Sequence, residues 1–417
     1  MFKPAQYTGQ AMVLSPPAKP PSSEASRVAS SLVHILKVDD LRYDIRAYGG
    51  QFIEGLPRRV GSSSAFDSSV AALVACYNSL QHGKSHVDAL AKYGTALKAL
   101  RKSLSDESQP LTEKIYSIYL IYVCQEWIDR RPQGVNEHRT MLAKLVQEAA
   151  ESGTLHLIPP EFIYGLCQLI VWESMTNHQL EIGDWFFDAL DASAQDARPY
   201  KARPGAYITL DIRSHGELAV YIRDPRRHHY QLQCMYALLK REKPQIALAL
   251  AHFTKLSMLP GATTTTKRIC LAHQHAYALI LDVGAVLNAV LRALEDSFCL
   301  EIESRHICDE AIRLAEQCRA LRPFGSALIL EVLKSIWATT VDRYRCDEVD
   351  KLLREFSSDF RWCNDLTEQQ WFRCQMDEMT AFHRRARGAP PMVPSQTTGG
   401  LDYPASQLAS KGSCVIL

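Results

Sequence analysis

Residues 87–104 read VDALAKYGTALKALRKSL, residues 105–110 read SDESQP, and residues 111–128 read LTEKIYSIYLIYVCQEWI. In the first segment Val87, Leu90, Tyr93, Leu97, Leu100 and Leu104 recur every three or four residues. That spacing predicts an amphipathic helix over 86–104 with Lys92, Lys98, Arg101 and Lys102 turned outward. Ser85 and Asp88 suit a capping box at its start. The third segment predicts a helix over 111–129 of a different kind. Ile115 to Cys124 is apolar nearly all round, interrupted only by Ser117 and tyrosine hydroxyls. Such a helix must be covered on every side, so other helices are expected to wrap it.

The same pattern continues outward from this pair. Helices are expected at 25–37, 66–81, 136–152, 160–176 and 180–192. Further ones are expected at 225–241, 244–257, 265–295, 298–321, 326–341, 346–358 and 366–386. Asn136 and Pro160 stand where helices should start, and Pro225 and Pro244 suit first-turn positions. Residues 39–64 are expected to be loop with one short helix. Residues 191–224 are less regular, and their YITLDI run fits a short strand or a buried loop. No alternation of period two runs for any length, so a sheet is not expected. The fold class is therefore all-α: a single large domain of about a dozen helices over 23–386, stacked as irregular pairs. Residues 1–22 (rich in Pro, Ser and Ala) are expected to be a disordered leader, and 387–417 a flexible tail ending in CVIL.

Composition narrows the functional classes. Net charge is +1, so no overall field draws the chain to nucleic acid or anionic lipid. The 12 cysteines include no CxxC pair. Most, among them Cys76, Cys124, Cys167, Cys299, Cys308 and Cys318, fall in apolar helical patterns. They are expected to be reduced core residues of an intracellular protein. MFKPAQYTGQ has no basic stretch leading into an apolar run, so no secretory signal is expected. No membrane span is expected either.

Motifs of chemistry are scarce. There is no GxSxG, HExxH or GxGxxG, and PGATTTTKR lacks the Gly-Lys-Ser/Thr that cradles phosphate. Cys270, His273 and His275 have metal-ligand chemistry, but His273 and His275 point to opposite sides of a helix. Glu301 and Glu303 diverge for the same reason. No enzyme, cofactor or metal is expected, with an enzyme on the same fold that carries no recognisable motif as the remote alternative. Tyr116, Tyr119, Tyr122 and Trp127 read as core aromatics, with a small-molecule cavity as the alternative. Arg226, Arg227, His228 and His229 form a candidate basic contact patch for phosphate or an acidic partner. Cys414-Val415-Ile416-Leu417 has the form of a prenylation box, with a final Leu that favours geranylgeranyl. One isoprenoid chain anchors only marginally without a second signal, and Lys411 is the nearby cation.

Two texts carry a family resemblance. The first is Tyr93, Gly94, Ala96, Leu97, Leu100, Leu104 and Asp106, followed by the apolar helix. The second is AIRLAEQCRALRPFGSALILEVLKSIWAT, with its break at Arg322, Pro323, Gly325 and Ser326. In that order and spacing, over residues 66–362, the chain resembles the fungal-specific transcription factor domain. That domain is the helical regulatory region of zinc-binuclear-cluster regulators. The resemblance implies a nuclear protein that modulates metabolic or secondary-metabolite genes through other regulators, with or without a small effector. The family's DNA-binding module holds two zinc ions on six cysteines in paired spacings. Here the first cysteine is Cys76, inside the helical region. Direct DNA binding is therefore not expected, unless an upstream exon supplies it. The alternative expectation is a prenylated helical adaptor held weakly at endomembranes through Cys414.

Overall fold

The 111–128 segment is the axis of the N-terminal half. The computed structural model describes residues 23–48, 50–82, 86–128, 132–176, 180–194, 207–360 and 367–386. The leader and the CVIL tail lie outside them. The described residues form fifteen α-helices joined by loops and 3-10 turns, with no strand. The fold is all-α. The helices are α1 (Glu24–Leu36), α2 (Gly50–Gly55), α3 (Ser64–His82), α4 (Val87–Leu104) and α5 (Leu111–Ile128). Then come α6 (Pro132–Glu151), α7 (Pro160–Thr176), α8 (Asp184–Ala192), α9 (Ile212–Tyr221) and α10 (His229–Ser257). The last are α11 (Thr264–Leu294), α12 (Phe298–Cys318), α13 (Ala327–Thr339), α14 (Cys346–Ser357) and α15 (Thr367–Ala386).

Every residue of α5 from Ile115 to Ile128 is buried, because α3, α4 and α6 pack around it. Its tyrosines are core. Tyr116 stacks on Phe52 of α2 at 5.0 Å and lies 4.5 Å from Phe162 of α7. Each such ring pair adds about 1 kcal/mol beyond the burial of area. The inward face of the adjoining helix α4 is rotated from its leucine stripe. Ala89, Ala96, Leu100 and Ser103 are buried and Tyr93 and Leu97 pack against the core, whereas Val87, Leu90 and Leu104 are exposed. Alanines let α4 approach α3 closely, and close approach leaves the larger side chains flanking the contact. Ser85 lies outside the described residues. His86 precedes the helix without a side-chain cap and meets Ser79 Oγ through Nδ1 at 2.9 Å.

The C-terminal half is organised by α11, flanked by α10, α12, α13 and α15. Against the expectation of no membrane span, α11 is long and apolar enough by length and composition to cross a bilayer. However, 83% of its most apolar window is buried by neighbouring helices. It is a core helix. Leu281 of α11, Ile307 and Ile312 of α12, Leu330 and Leu333 of α13, and Leu352 and Phe356 of α14 form this second core.

The two halves meet at the break 322–326. Phe324 is fully buried and stacks on Trp127 at 4.7 Å. Its N–H donates to Arg42 O at 3.0 Å, and the Gly325 carbonyl accepts from His275 Nε2 at 3.0 Å. A Cβ at Gly325 would stand 2.8 Å from two backbone oxygens, those of Leu321 and Leu41, so only glycine fits. Arg322 fastens the break to α14 and the turn after it. Its Nε donates to Asp359 at 2.6 Å and its Nη1 to Glu355 at 3.0 Å.

Several expected boundaries move. Pro244 does not end a helix. It sits inside the 29-residue α10, where it removes one ladder bond at a cost of about 3 kcal/mol. Packing along the length of α11 outweighs that cost. Pro225 lies in a turn, and α10 starts at His229. Asn136 is inside α6, which starts at Pro132. The irregular 191–224 stretch contains α9, capped by Asp211, whose side chain accepts from Arg213 N–H. Residues 208–210 of the YITLDI run form a 3-10 turn. It is held by buried Glu242, which accepts from Thr209 N–H at 2.9 Å and Thr209 Oγ1 at 2.6 Å.

Seven of the described cysteines are buried and free, but Cys299 is exposed, contrary to its apolar neighbourhood. Phe298 beside it is also turned to solvent. Burial pushes the Cys167 and Cys318 thiols up to about 12, so they act as small core side chains.

Asp282 is a charge-bearing group in the wrong medium. It is 5% exposed in the middle of α11, and burial pushes its carboxyl up to about 7, against a hydrogen bond from Ser335. Glu331 on α13 adds repulsion. The folded state therefore holds a proton that the unfolded chain has lost. The contribution of Asp282 to stability falls as pH rises from about 4 to about 7 and then levels. Asp282→Asn cannot ionise. It should match the wild type near pH 4 and exceed it by about 4 kcal/mol at pH 8. Urea denaturation at the two pH values checks this, and an equal difference at both would rule it out.

Candidate functional site

In the basic quartet the two histidines make internal contacts and the two arginines are exposed. His229 Nε2 meets Glu295 Oε1 at 2.7 Å, tying the start of α10 to the end of α11. His228 stacks on Tyr221 with ring centres 4.8 Å apart. Arg226 and Arg227 are exposed on the preceding turn. A histidine pair committed to internal contacts leaves two arginines, not a four-residue patch. Cys414 lies outside the described residues.

Cys270, His273 and His275 also diverge. Cys270 faces Thr254, and His273 packs on Phe253 with Nδ1 against Ile269 O at 2.8 Å. His275 is committed to Gly325, and burial pulls its imidazole below the usual range. Glu303 accepts from Tyr236 at 2.8 Å and Lys240 at 2.9 Å, while Glu301 faces elsewhere.

Glu301 faces a cleft of about 500 Å³. Its walls are the last turn of α11, the 295–297 loop, the first turn of α12, the end of α13 with the 340–343 segment after it, and α15. Three arginines line it: Arg292 from α11, Arg343 from the 341–343 turn, and Arg373 from α15. Arg292 Nε donates to Asn288 Oδ1 at 2.8 Å, and its Nη2 donates to the Thr339 carbonyl. Arg373 Nε donates to the Ala338 carbonyl at 3.3 Å, and its guanidinium lies 4.3 Å over the Trp337 ring. Both arginines thus serve the carbonyl end of α13, where unpaired C=O groups and the helix dipole favour cations.

Capping explains where these side chains sit; Glu301, Asp342 and Asp377 offset the Arg292 charge, and Asp377 that of Arg373, from a distance and without a contact ion pair. Among the described residues, no carboxylate comes within ion-pair distance of Arg292, Arg343 or Arg373. Elsewhere the chain pairs its partly buried arginines: Arg46 with Asp44 at 2.6 Å, Arg322 with Asp359 at 2.6 Å, and Arg345 with Asp309 at 2.6 Å. Arg373 Nη2 is buried with no hydrogen-bond partner among the described residues. Burial lowers the pKa of both Arg292 and Arg373, which marks the cost of holding these charges out of water. Asp377 on α15 is pushed up by burial while the same two arginines pull it down.

The backbone at the rim is strained. Asp342, Arg343 and Arg345 have φ of 47°, 54° and 50°, in the left-handed region that side chains with a Cβ avoid. Each such residue costs on the order of 1–3 kcal/mol, and such strain concentrates at ligand clamps and switches. Arg345 is held there by Asp309 and by Glu348 at 2.5 Å, and Arg305 reaches Asp342 at 3.6 Å.

No signal in the sequence marks this cleft. Its arginines come from separate elements, each in an ordinary helical or turn context. The observed class is an all-α protein with a polar, arginine-bearing cleft at the end of its central C-terminal helix. No family model, curated protein or solved structure matches the chain.

Proposed function

We propose that this chain is the helical regulatory module of a fungal-type transcription regulator, acting on metabolic or secondary-metabolite genes through protein partners. The reading makes it a nuclear protein with no DNA contacts of its own, since none of its 12 cysteines stands in CxxC spacing. It is not an enzyme on this reading. A small effector held in the Arg292–Arg373 cleft biases which partner-binding state the helices adopt.

One observation carries the reading. The two texts that resemble the regulatory domain, far apart in sequence, share one packing junction through Trp127 and Phe324. Side chains around that junction, including His275 of α11, tie it to the helix that forms one wall of the cleft. Occupancy of the cleft therefore has a packed route to the rest of the domain.

The experiment is transcript profiling of cells lacking the chain, paired with a labelled-duplex binding assay on the purified protein. The expected result is a changed set of metabolic transcripts with no binding of DNA by the protein alone. An unchanged transcript profile would sink the regulator reading.

A further inference from the structure

From the cleft's charges we infer that it binds a small zwitterion, an amino-acid-like molecule whose carboxylate meets Arg373 and Arg292 and whose ammonium meets the acidic rim. The inference rests on reading the cleft as an effector site and names the ligand class.

The anion half follows from the arginines. Arg373 is pre-set by its stack on Trp337 and its Nε bond to the Ala338 carbonyl; with Nη2 buried, Nη1 is the donor left to meet a ligand. A charged guanidinium N–H donates a strong bond to a carboxylate oxygen, and Nη1 of Arg292 and Nη1 of Arg373 can each supply one. Arg343 stands close enough to Arg373 to disfavour its charge, and an anion between them would relieve that repulsion.

The cation half follows from the remaining lining. Glu295, Asp296, Glu301, Asp342 and Asp377 face the same cleft, five carboxylates against three guanidiniums. Glu295 and Asp342 are engaged by His229 and Arg305. Asp296, Glu301 and Asp377 have no ion-pair partner among the described residues. A dianion such as phosphate would meet a lining with more negative than positive groups. A ligand carrying one charge of each sign satisfies both sets. The polar walls disfavour an extended apolar ligand.

Isothermal titration of the full chain with glycine, 4-aminobutyrate and 6-aminohexanoate tests this, with butyrate, butylamine and inorganic phosphate as controls. At least one amino acid of the series should bind saturably, and butyrate and butylamine about tenfold or more weakly. Arg373→Gln should weaken the amino acid about tenfold or more. Asp377→Asn should weaken it as well but leave butyrate unchanged, which a merely structural role would not do. Asp377 is exposed as a residue, with only its carboxyl partly desolvated at the cleft wall, so its variant carries the test if Arg373→Gln does not fold. Saturation by no member of the series, tighter binding of phosphate, or unchanged binding by both variants would overturn the inference. A chain that binds the zwitterion while its deletion leaves every transcript unchanged keeps this inference and loses the regulator reading. The reverse pair of results loses only the ligand class.

Discussion

Replacing Phe324 by Ala should lower the unfolding free energy by about 3–5 kcal/mol, among the largest effects of any single side-chain truncation in the chain. Phe324 is 0% exposed and shares its pocket with rings from four other regions. Trp127 stacks on it from α5. Tyr48 meets it edge-on at 5.6 Å, Tyr77 of α3 lies at 5.9 Å, and Phe360 lies at 6.3 Å. Removing the ring leaves a void whose walls belong to both halves of the molecule. Those walls cannot collapse together without moving α5 or α11, so the cavity cost stays. Phe324→Leu keeps most of the volume and should cost less than half as much. Urea denaturation followed by circular dichroism measures both. A loss under 1 kcal/mol for Phe324→Ala would mean that the junction does not join the two halves.

The second large effect is expected at Arg139 on α6. Its Nη1 donates to Glu173 of α7 at 2.5 Å and its Nη2 to Glu126 of α5 at 3.2 Å. The two glutamate side chains are 1% and 5% exposed, and the guanidinium also lies 5.2 Å over the Tyr122 ring. A buried ion cluster adds little net stability when intact, because desolvation offsets attraction. Breaking it is another matter. Arg139→Ala removes the cation that these two buried carboxylates share, a loss of about 3–5 kcal/mol. Changing Glu126 and Glu173 to Gln in the same chain lowers the buried negative charge and should recover more than half of that loss. Equal stability of the single and triple variants would show that lost packing, not stranded charge, dominates.

What could be read beforehand follows from how local each signal is. The burial of α5 was legible because a helix apolar on all sides has one physical outcome, whatever surrounds it. The identity of α4 as a helix was legible too, but not its inward face. Leucine spacing marked one stripe, while Ala89 and Ala96 decided the contact by letting α3 come close. Pro244 misled because its cost is local and the packing that outweighs it runs along a whole neighbouring helix. α9 was hidden by the irregular text before it, although Asp211 at its start and Ile212, His215, Leu218 and Ala219 on one face were a usable signal.

The candidate site is the opposite case. Arg292 sits in an apolar helix, Arg343 in a turn, and Arg373 in a polar helix that gives no hint of its stack on Trp337. Their meaning comes only from convergence and from the carboxylates that do not pair with them. The basic quartet at 226–229 shows the converse. Four adjacent charge-bearing residues suggested a surface, yet Glu295 and Tyr221 claim the two histidines. Adjacency in sequence was a poor guide to a site in both directions.

The proposal that a ligand in this cleft sets the output of a regulator is tested most directly in cells carrying Arg373→Gln in place of the wild-type chain. The variant chain should accumulate to the normal level, and the transcripts that change on deletion should change in the same direction. A wild-type transcript profile with Arg373→Gln, in cells where deletion does shift those transcripts, would contradict it.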